Sequence, residues 1–257
     1  MIPAIEVHDV TVSYNRKPAL WGIDFEVPEG KLVGIIGPNG AGKSTMIKAM
    51  MDLISLDSGY VKLFGKNINE VRDRVAYVPQ RGSVDWDFPA SVLDVVLMGR
   101  YGKKGLFKRI TKADKAMAME CLEKVNMQQY INRQISQLSG GQQQRVFIAR
   151  SLAHEADLYF MDEPFAGIDA TTEKTIFDLL LKMRAEGKTI LVVHHDLQSA
   201  YEYFDWIILL NTQLIASGPK EKIFVPEFLQ KTYGGKIDLL TKVGEMLSEL
   251  QVPPREK

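Results

Sequence analysis

A glycine-rich stretch, GPNGAGKST at residues 37–45, has the residue types that bind a polyphosphate. Its three glycines allow a tight turn and let backbone N–H groups come close to phosphate oxygens. Lys43 adds a positive charge for the terminal phosphates, and the hydroxyl of Ser44 can ligate Mg²⁺. No residue type in this stretch cleaves a phosphate by itself, so the catalytic groups must come from elsewhere in the chain.

The flanks of this stretch predict the structure that a phosphate-binding loop needs. KLVGIIG, before it, is a short apolar run typical of a buried parallel strand. STMIKAMMDL, at its end, has apolar residues near helical spacing and predicts an amphipathic helix. Strand, glycine-rich turn and helix are the context in which G-x-x-x-x-G-K-[ST] indicates a phosphate site and not a chance glycine turn. The helix N-terminus adds partial positive charge there.

Two carboxylates follow another apolar strand, in LYFMDEP at residues 158–164. In an open α/β sheet, ligands bind beyond the carboxyl ends of the strands. Asp162 is therefore placed to hold Mg²⁺, and Glu163 to orient and deprotonate an attacking water molecule. A solvated acidic turn is the alternative, and the apolar strand before it disfavours that interpretation.

His195 follows the strand TILVV, so it should reach the same sheet edge, where an imidazole can contact a γ-phosphate. Taken alone, such a histidine is more often structural, and beside the other elements we favour a functional role. We interpret the remaining histidines as structural: His8, His154 and His194.

LSGGQQQR at residues 138–145 predicts a second anion site. Ser139 precedes two glycines and a helical run, VFIARSLA, so the stretch is typical of a helix N-terminus with exposed backbone N–H groups. We expect it to lie too far from residues 37–45 of its own chain to share one nucleotide. Two copies arranged head to tail, each completing the other's site, would satisfy both stretches.

Bulk properties narrow the class of protein. The chain has 257 residues, 46% hydrophobic and 25% charged, which fits one large domain or two small ones. Because 32 basic residues balance 32 acidic ones, no long-range basic field argues for nucleic acid. The single cysteine, Cys121, excludes an internal disulfide, fits a reducing compartment and is predicted to pack in a core.

No pattern of basic residues followed by an apolar core, as in a signal peptide, is visible at the N-terminus. The longest apolar runs, such as WIILL at 206–210, are too short to span a bilayer. We therefore expect a soluble cytosolic chain that reaches a membrane only through a partner.

The pattern along the chain predicts an α/β fold with a P-loop NTPase core and a parallel sheet. AIEVHDVTVSY and GIDFEV alternate apolar and polar residues and predict an antiparallel β subdomain. A mostly helical region, roughly residues 83–155, is predicted to be an inserted helical subdomain. The predicted domain spans residues 1–235, and residues 236–257 are predicted to form a C-terminal helical tail that serves docking or packing.

Together these motifs resemble those of the nucleotide-binding subunit of ABC transporters, over nearly the whole chain. GPNGAGKST resembles the Walker A loop, LYFMDE the Walker B strand, and LSGGQ the family signature. The family's other motif residues are matched by Gln80 in YVPQ (Q-loop), Asp169 in AGID (D-loop), His195 in HHDL (switch histidine) and Tyr14 (the aromatic that stacks on adenine). Ala166 stands where many members have Ser, and since Asp169 remains we expect no loss of activity.

The resemblance implies an ATPase with the ABC ATPase fold that uses ATP and Mg²⁺. The residues implied to bind nucleotide are Tyr14, Gly37, Pro38, Asn39, Gly40, Ala41, Gly42, Lys43, Ser44, Thr45, Ser139, Gly140, Gly141, Gln142 and Asp169. The implied Mg²⁺ ligands are Ser44, Gln80 and Asp162. The implied catalytic residues are Glu163, His195, Gln80 and Lys43.

Within the family, residues 77–109 are similar to importers of manganese, zinc or iron that work with a solute-binding protein. Manganese is the preferred cargo. The chain has no cluster of His, Cys and carboxylates at ligand spacing, so selectivity would belong to the permease and the binding protein. Trp86 and Phe88 are candidates for a permease groove or, equally, for the subdomain's own core.

The partners that this resemblance implies are an integral-membrane permease, a second copy of the chain and, indirectly, an extracytoplasmic metal-binding protein. No nucleic acid is expected. The chain would be cytoplasmic and peripheral on the cytoplasmic face of the cell membrane.

Three other classes remain as alternatives. A soluble non-transport ABC ATPase in cofactor or complex assembly is one, and it would not co-purify with an integral membrane protein. A P-loop GTPase or small-molecule kinase is disfavoured because no N-K-x-D stretch is present and LSGGQ would have no purpose. A structural protein that only binds ATP would not need Glu163.

Overall fold

A computed structural model describes residues 2–104 and 109–234, and these form two compact units. Of the described residues, the first unit contains 2–28, 33–65 and 193–234, and the second contains 29–32, 66–104 and 109–192. The predicted helical tail, residues 236–257, lies outside the described residues. So do residues 105–108 of the stretch that resembles metal importers.

The described part of the chain alternates between strands and helices. The strands are β1 (Ile5–Tyr14), β2 (Lys17–Val27), β3 (Leu32–Ile36), β4 (Ser58–Leu63), β5 (Val75–Val78), β6 (Leu158–Met161), β7 (Thr189–His194), β8 (Trp206–Asn211) and β9 (Gln213–Pro219). The helices are α1 (Lys43–Met50), α2 (Ile68–Val71), α3 (Val92–Lys104), α4 (Lys112–Lys124), α5 (Gly140–Ala153), α6 (Ala170–Ala185), α7 (Leu197–Tyr203), α8 (Lys220–Ile223) and α9 (Pro226–Tyr233). Short 3₁₀ turns lie at Arg72–Arg74, Arg81–Ser83, Gln128–Tyr130 and Ile135–Gln137.

The first unit contains the predicted antiparallel sheet, in the strand order β2-β1-β4. In β1, Ile5, Val7, Val10 and Val12 are buried, and residues between them face solvent or are half-buried. The alternation slips by one residue after Val7, at a bulge where Asp9 has a φ of 46°. The prediction of half-buried antiparallel strands is thus confirmed.

Also in the first unit, β3 pairs in parallel with β8, and β8 pairs antiparallel with β9. All five residues of β3 are buried, as are Ile207, Ile208, Leu209 and Leu210 of β8. Continuous apolar runs of this kind are typical of strands covered on both faces. This pairing positions the loop that follows β3.

The second unit contains three parallel strands in the order β5-β6-β7. Helix α6 connects β6 to β7 along the chain and ends where Gly187 adopts a φ of 85°, as a glycine after a helix end commonly does. All residues of β6 and β7 are buried. The predicted α/β class, with parallel strands and an antiparallel sheet, is confirmed.

Helices α3, α4 and α5 lie between β5 and β6 along the chain and pack on one another. The guanidinium of Arg100 on α3 joins them, since it donates to Asp114 Oδ1 on α4 (3.2 Å) and to the carbonyl of Ala153 on α5 (2.7 Å). The first of these helices starts at Val92, after Pro89, which disfavours helical backbone at the residue before it. The boundaries of the helical subdomain, 83–155, stay a prediction.

Candidate active site

The predicted site residues fall into two groups, one in each unit. The first unit contains Tyr14, His195 and the phosphate loop, residues 37–45. The second contains Gln80, the carboxylates after β6, the signature segment (residues 139–142) and Asp169.

The phosphate loop leaves the buried end of β3 and leads directly into α1. Its last residue before the helix, Gly42, is the N-cap with a φ of 94°, a backbone conformation that favours glycine. Gly42 offers no side-chain hydrogen bond to the first N–H groups of α1. A helix start of this kind suits an anion, because the N–H groups and the helix dipole both attract negative charge.

Close backbone packing explains two of the loop's glycines. A Cβ at Gly37 would lie 2.0 Å from the carbonyl oxygen of Leu210 on β8. A Cβ at Gly42 would lie 2.5 Å from the carbonyl oxygen of Ala19 on β2. The N–H of Thr212 donates to the carbonyl of Ala41 at 2.9 Å, which fixes the loop from the same side. Neighbouring strands therefore set the loop's shape.

Lys43, the first residue of α1, is only 6% exposed. Its Nζ donates to the carbonyl oxygens of Gly37 (2.9 Å) and Pro38 (3.0 Å). The ammonium group is thus held at the loop backbone, where it can serve as a point charge for a phosphate.

Tyr14 and His195 are the other predicted site residues of the first unit. Tyr14 ends β1 and is 48% exposed, so part of its ring is available for stacking. His195 is exposed directly after β7. Its neighbour His194 is buried, and burial, followed by the nearby His195, lowers the pKa of His194 to about 4. His194 is therefore neutral at physiological pH, which agrees with its structural interpretation.

In the second unit, Asp162 and Glu163 follow the last residue of β6. Asp162 is 1% exposed. Burial of Tyr77 and, as the smaller cause, the negative charge of Asp162 raise the pKa of Tyr77 to about 12. Glu163 is half-buried and has a φ of 50°, which is uncommon for a non-glycine residue and typical of functional sites. Its Oε2 accepts a hydrogen bond from Gln80 Nε2 at 2.8 Å. The structure thus brings two predicted catalytic residues into contact.

The signature segment begins α5 and is closed by its own side chains. Ser139 is the N-cap, and its Oγ accepts from the N–H of Gln142, while Gln142 Oε1 accepts from the N–H of Ser139 at 2.9 Å. This is a capping box. The N–H groups predicted to be exposed are therefore partly occupied, which the sequence pattern S-x-x-Q could have indicated.

The D-loop residue Asp169 also has a structural contact that the sequence interpretation did not include. It is the N-cap of α6, and its carboxylate accepts from the N–H of Thr172 (3.0 Å) and from the Thr172 hydroxyl (2.8 Å). These hydrogen bonds lower the pKa of Asp169. The turn before it lies against the signature segment, because a Cβ at Gly141 would be 2.8 Å from the carbonyl oxygen of Gly167.

Two residues beside the site, Arg81 and Gln143, were not singled out from the sequence. Arg81 Nε donates to Gln143 Oε1 at 3.2 Å, and its guanidinium lies against Gly140.

Of the two aromatic candidates for a permease groove, Trp86 is half-buried, with its ring centroid 4.7 Å from that of Phe147. Phe88 is half-buried as well.

Within residues 2–104 and 109–234, no group of three or more His, Cys, Asp and Glu is arranged to hold a metal ion. In the same part of the chain, no helix has the length and apolar character needed to cross a bilayer.

A phosphate loop with a buried lysine, together with a strand that ends in two carboxylates, defines a nucleotide-binding P-loop protein. A family model described as ABC transporter matches residues 20–166. The chain is 61% identical over 236 residues to the manganese transport system ATP-binding protein MntB of Bacillus subtilis (strain 168), which covers 92% of this chain and 94% of that protein. It is 56% identical over 234 residues to the zinc transport system ATP-binding protein TroB of Treponema pallidum (strain Nichols), covering 91% and 88%.

Among solved structures, the dimeric post-hydrolysis state of the ATP-binding cassette MJ0796, bound to ADP and Pi, matches with a TM-score of 0.74. The two chains are 28% identical, and the match covers 84% of this chain and 98% of that one. The chain belongs to the ABC transporter family. It is an ATP-binding subunit of that family, as the sequence motifs predict.

Proposed function

We propose that this ABC ATPase hydrolyses ATP between two copies of itself and thereby drives import of a divalent metal ion, manganese before zinc or iron, through a membrane permease. The observation that best supports hydrolysis is the hydrogen bond between Gln80 and Glu163 at the end of β6. The support for the cargo is the 61% identity to a protein named for manganese transport, with 56% identity to one named for zinc transport.

In this proposal the first unit holds the nucleotide. Adenine stacks on Tyr14, and the phosphates lie on the N–H groups of Gly37 to Thr45. Lys43, already fixed at the loop backbone, provides positive charge at the β- and γ-phosphates. The missing side-chain cap on α1 supports this assignment.

Mg²⁺ is proposed to bind at Ser44, Gln80 and Asp162. Their hydroxyl, amide and carboxylate oxygens are the donors that Mg²⁺ prefers, so the residues fit the ion. When bound, Mg²⁺ neutralises charge on the β- and γ-phosphates.

Glu163 is the proposed general base. Its half-buried carboxylate, fixed by Gln80, can accept a proton from water and orient that water for attack. His195 and Lys43 are proposed to stabilise negative charge on the transferred group, since phosphoryl transfer depends on positioning and electrostatics.

The second copy is proposed to close the site with Ser139, Gly140, Gly141 and Gln142, with Asp169 beside them. The dimeric cassette MJ0796 with ADP and Pi supports a paired arrangement in a related chain. Closing and reopening of the pair would move the permease, with the chain peripheral on the cytoplasmic face of the membrane. An extracytoplasmic binding protein would deliver the metal.

The test is purification of the chain from detergent-solubilised membranes with its permease, followed by reconstitution into liposomes that contain the chain and ATP on the same side. We expect ATP-dependent uptake of Mn²⁺ that exceeds uptake of Zn²⁺ and Fe²⁺, with no uptake by the Glu163→Gln variant. Preferential uptake of Zn²⁺ would correct the cargo. Absence of any permease from the purified material, with ATPase activity intact, would favour the soluble assembly ATPase.

A further inference from the structure

Two consecutive residues of the second unit contact different parts of the candidate site. Gln80 Nε2 donates to Glu163 Oε2 at 2.8 Å. Arg81 Nε donates to Gln143 Oε1 at 3.2 Å, and Gln143, 3% exposed, belongs to the first turns of α5. The dipeptide therefore connects the candidate base to the helix that carries the signature segment.

The guanidinium of Arg81 also lies directly on the backbone at the start of α5. A Cβ built at Gly140 would be 2.9 Å from both Cζ and Nε of Arg81. Gly140 is inside a helix, where glycine is less favourable than alanine. The close approach of Arg81 supplies a reason for glycine at this position.

Stability of α5 does not explain the position of Arg81. A cation near a helix N-terminus is repelled by the partial positive charge of the helix dipole. The first turn of α5 has no acidic residue that would offset this repulsion. An arginine held here by a hydrogen bond and by close packing is better explained by a role in positioning.

Further contacts join residues 77–86, which include Gln80 and Arg81, to more C-terminal parts of α5. The Trp86 ring packs on Phe147 with a centroid distance of 4.7 Å, and Trp86 Nε1 donates to the carbonyl of Arg81 at 2.9 Å. Arg150 donates to the carbonyl of Tyr77 at 3.4 Å. Arg81 is the contact at the signature end of this series.

We propose that Arg81 is a positioning residue for ATP-dependent pairing. It holds Gly140 and Gln143 against the residues that follow Gln80, so that the signature segment is correctly placed when the nucleotide of a second copy reaches it. The same dipeptide links this placement to Glu163 through Gln80. The inference rests on the proposed head-to-tail pairing and adds a residue that no motif of the sequence assigns.

The test measures pairing in the Glu163→Gln background, where turnover does not disperse the pairs. Arg81→Ala, Arg81→Met and Arg81→Lys are compared with the parent by analytical ultracentrifugation in ATP and Mg²⁺. Arg81→Ala and Arg81→Met both remove the hydrogen bond that the charged guanidinium makes to Gln143. We therefore expect their pairing affinity to fall roughly ten-fold or more. Lys should fall between, because it can donate to Gln143 but has no planar group to lie on Gly140.

Three readouts separate positioning from a general effect on folding. Binding of a fluorescent ATP analogue to the unpaired chain and the unfolding temperature should stay at the parent's values. With Glu163 present, turnover of the Arg81→Ala variant should be low at low protein concentration and rise as the concentration increases. Arg72→Ala is the matched control, since Arg72 is an exposed arginine of the same unit whose guanidinium donates to Asn69, and it should pair like the parent.

Equal pairing by the Arg81→Met variant and the parent would overturn the proposal, because it would show that the guanidinium is dispensable. A fall in unfolding temperature and in ATP-analogue binding together, in all three variants, would overturn it in favour of a purely structural role. If the Glu163→Gln parent itself stays unpaired in ATP, the proposed pairing fails, whatever Arg81 does.

Discussion

Helices α1 and α5 both have glycine at or beside the N-cap in a predicted anion site, but their first turns are closed differently. The N-cap of α1, Gly42, has a φ of 94° and makes no side-chain cap. The N-cap of α5, Ser139, forms a reciprocal capping box with Gln142. The start of α1 therefore has no side-chain cap, whereas the start of α5 satisfies part of its N–H groups with its own side chains.

This difference has a consequence for how the two sites fill. At α1 a phosphate displaces no side-chain cap, so we expect a single chain to bind ATP. At α5 a ligand that uses the Ser139 hydroxyl or the N–H of Gln142 has to replace a hydrogen bond between these two residues, so such binding needs extra favourable contacts. We expect the contacts of a second copy to supply them, and engagement of α5 would then depend on pairing.

The largest expected effect comes from Glu163→Gln, which separates pairing from turnover. The amide keeps the size of the side chain and can still accept from Gln80 but cannot act as a base. We expect turnover to fall by about 10²–10⁴, the usual contribution of a positioned base, with ATP binding intact and ATP-dependent pairs accumulating. Steady-state ATPase assays and ultracentrifugation measure these outcomes.

Glu123→Gln, at an exposed position on α4, is the matched control for that change and should behave as the parent. Unchanged turnover in Glu163→Gln would remove Glu163 from the proposed role. Loss of ATP binding together with turnover would mean that the residue supports the nucleotide site of its own chain.

Exchanging one glycine at each helix start tests the comparison directly. In Gly42→Ala the new Cβ would lie 2.5 Å from the Ala19 carbonyl oxygen. Left-handed backbone alone costs an L-residue about 1–2 kcal/mol, so we expect ATP affinity of the unpaired chain to fall roughly ten-fold or more. In Gly140→Ala the three heavy atoms nearest to the new Cβ all belong to the flexible side chain of Arg81, so we expect that affinity to stay unchanged while pairing weakens.

Binding of a fluorescent ATP analogue at protein concentrations below those that pair measures both glycine variants. Equal losses of affinity in the two variants would show that both helix starts serve one nucleotide within one chain. That result would contradict head-to-tail pairing.

Much of the α1 site could be predicted from the sequence, because it is local. The apolar run before residue 37, the glycines and Lys43 are contiguous, and the helix follows from the spacing of Met46, Ile47 and Met50. The antiparallel strands were predictable for the same reason, since period-two alternation is a local signal.

What could not be predicted depends on residues far apart in the chain. The contact of Arg81 with Gly140 and the contact of Gln80 with Glu163 arise only when β5, β6 and α5 are packed. The start of α3 at Val92 follows Pro89, a local signal for where the helix can begin. Ser139 was expected at a helix N-terminus, but its capping box with Gln142 and the N-cap role of Asp169 were not predicted, although both follow a local pattern.

Tyr14→Ala is expected to act on the α1 site alone. Removing a stacking ring should weaken ATP binding to the unpaired chain by about 1–3 kcal/mol, the range for aromatic stacking on a base. Tyr60→Ala is the matched control, because Tyr60 is 41% exposed on the same antiparallel sheet and should leave ATP affinity unchanged. An unaltered affinity in Tyr14→Ala, measured by calorimetry, would mean that the ring only packs on its own unit.

The smallest expected effect concerns the cap of α5. Ser139→Ala removes the acceptor for the Gln142 N–H, and loss of an N-cap costs about 1 kcal/mol in the free energy of unfolding. Ser139→Asn restores a cap of similar strength but changes the group that faces a second copy. Chemical denaturation and ATP-dependent pairing are therefore measured on both variants.

If Ser139 serves the nucleotide of the second copy, the Asn variant regains stability while its pairing stays weak. If Ser139 is only a cap, stability and pairing recover together, and the proposed exchange of hydrogen bonds at α5 is wrong. The two helix starts would then differ in capping but not in how they depend on a partner. No ligand at α5 would have to replace the hydrogen bonds between Ser139 and Gln142.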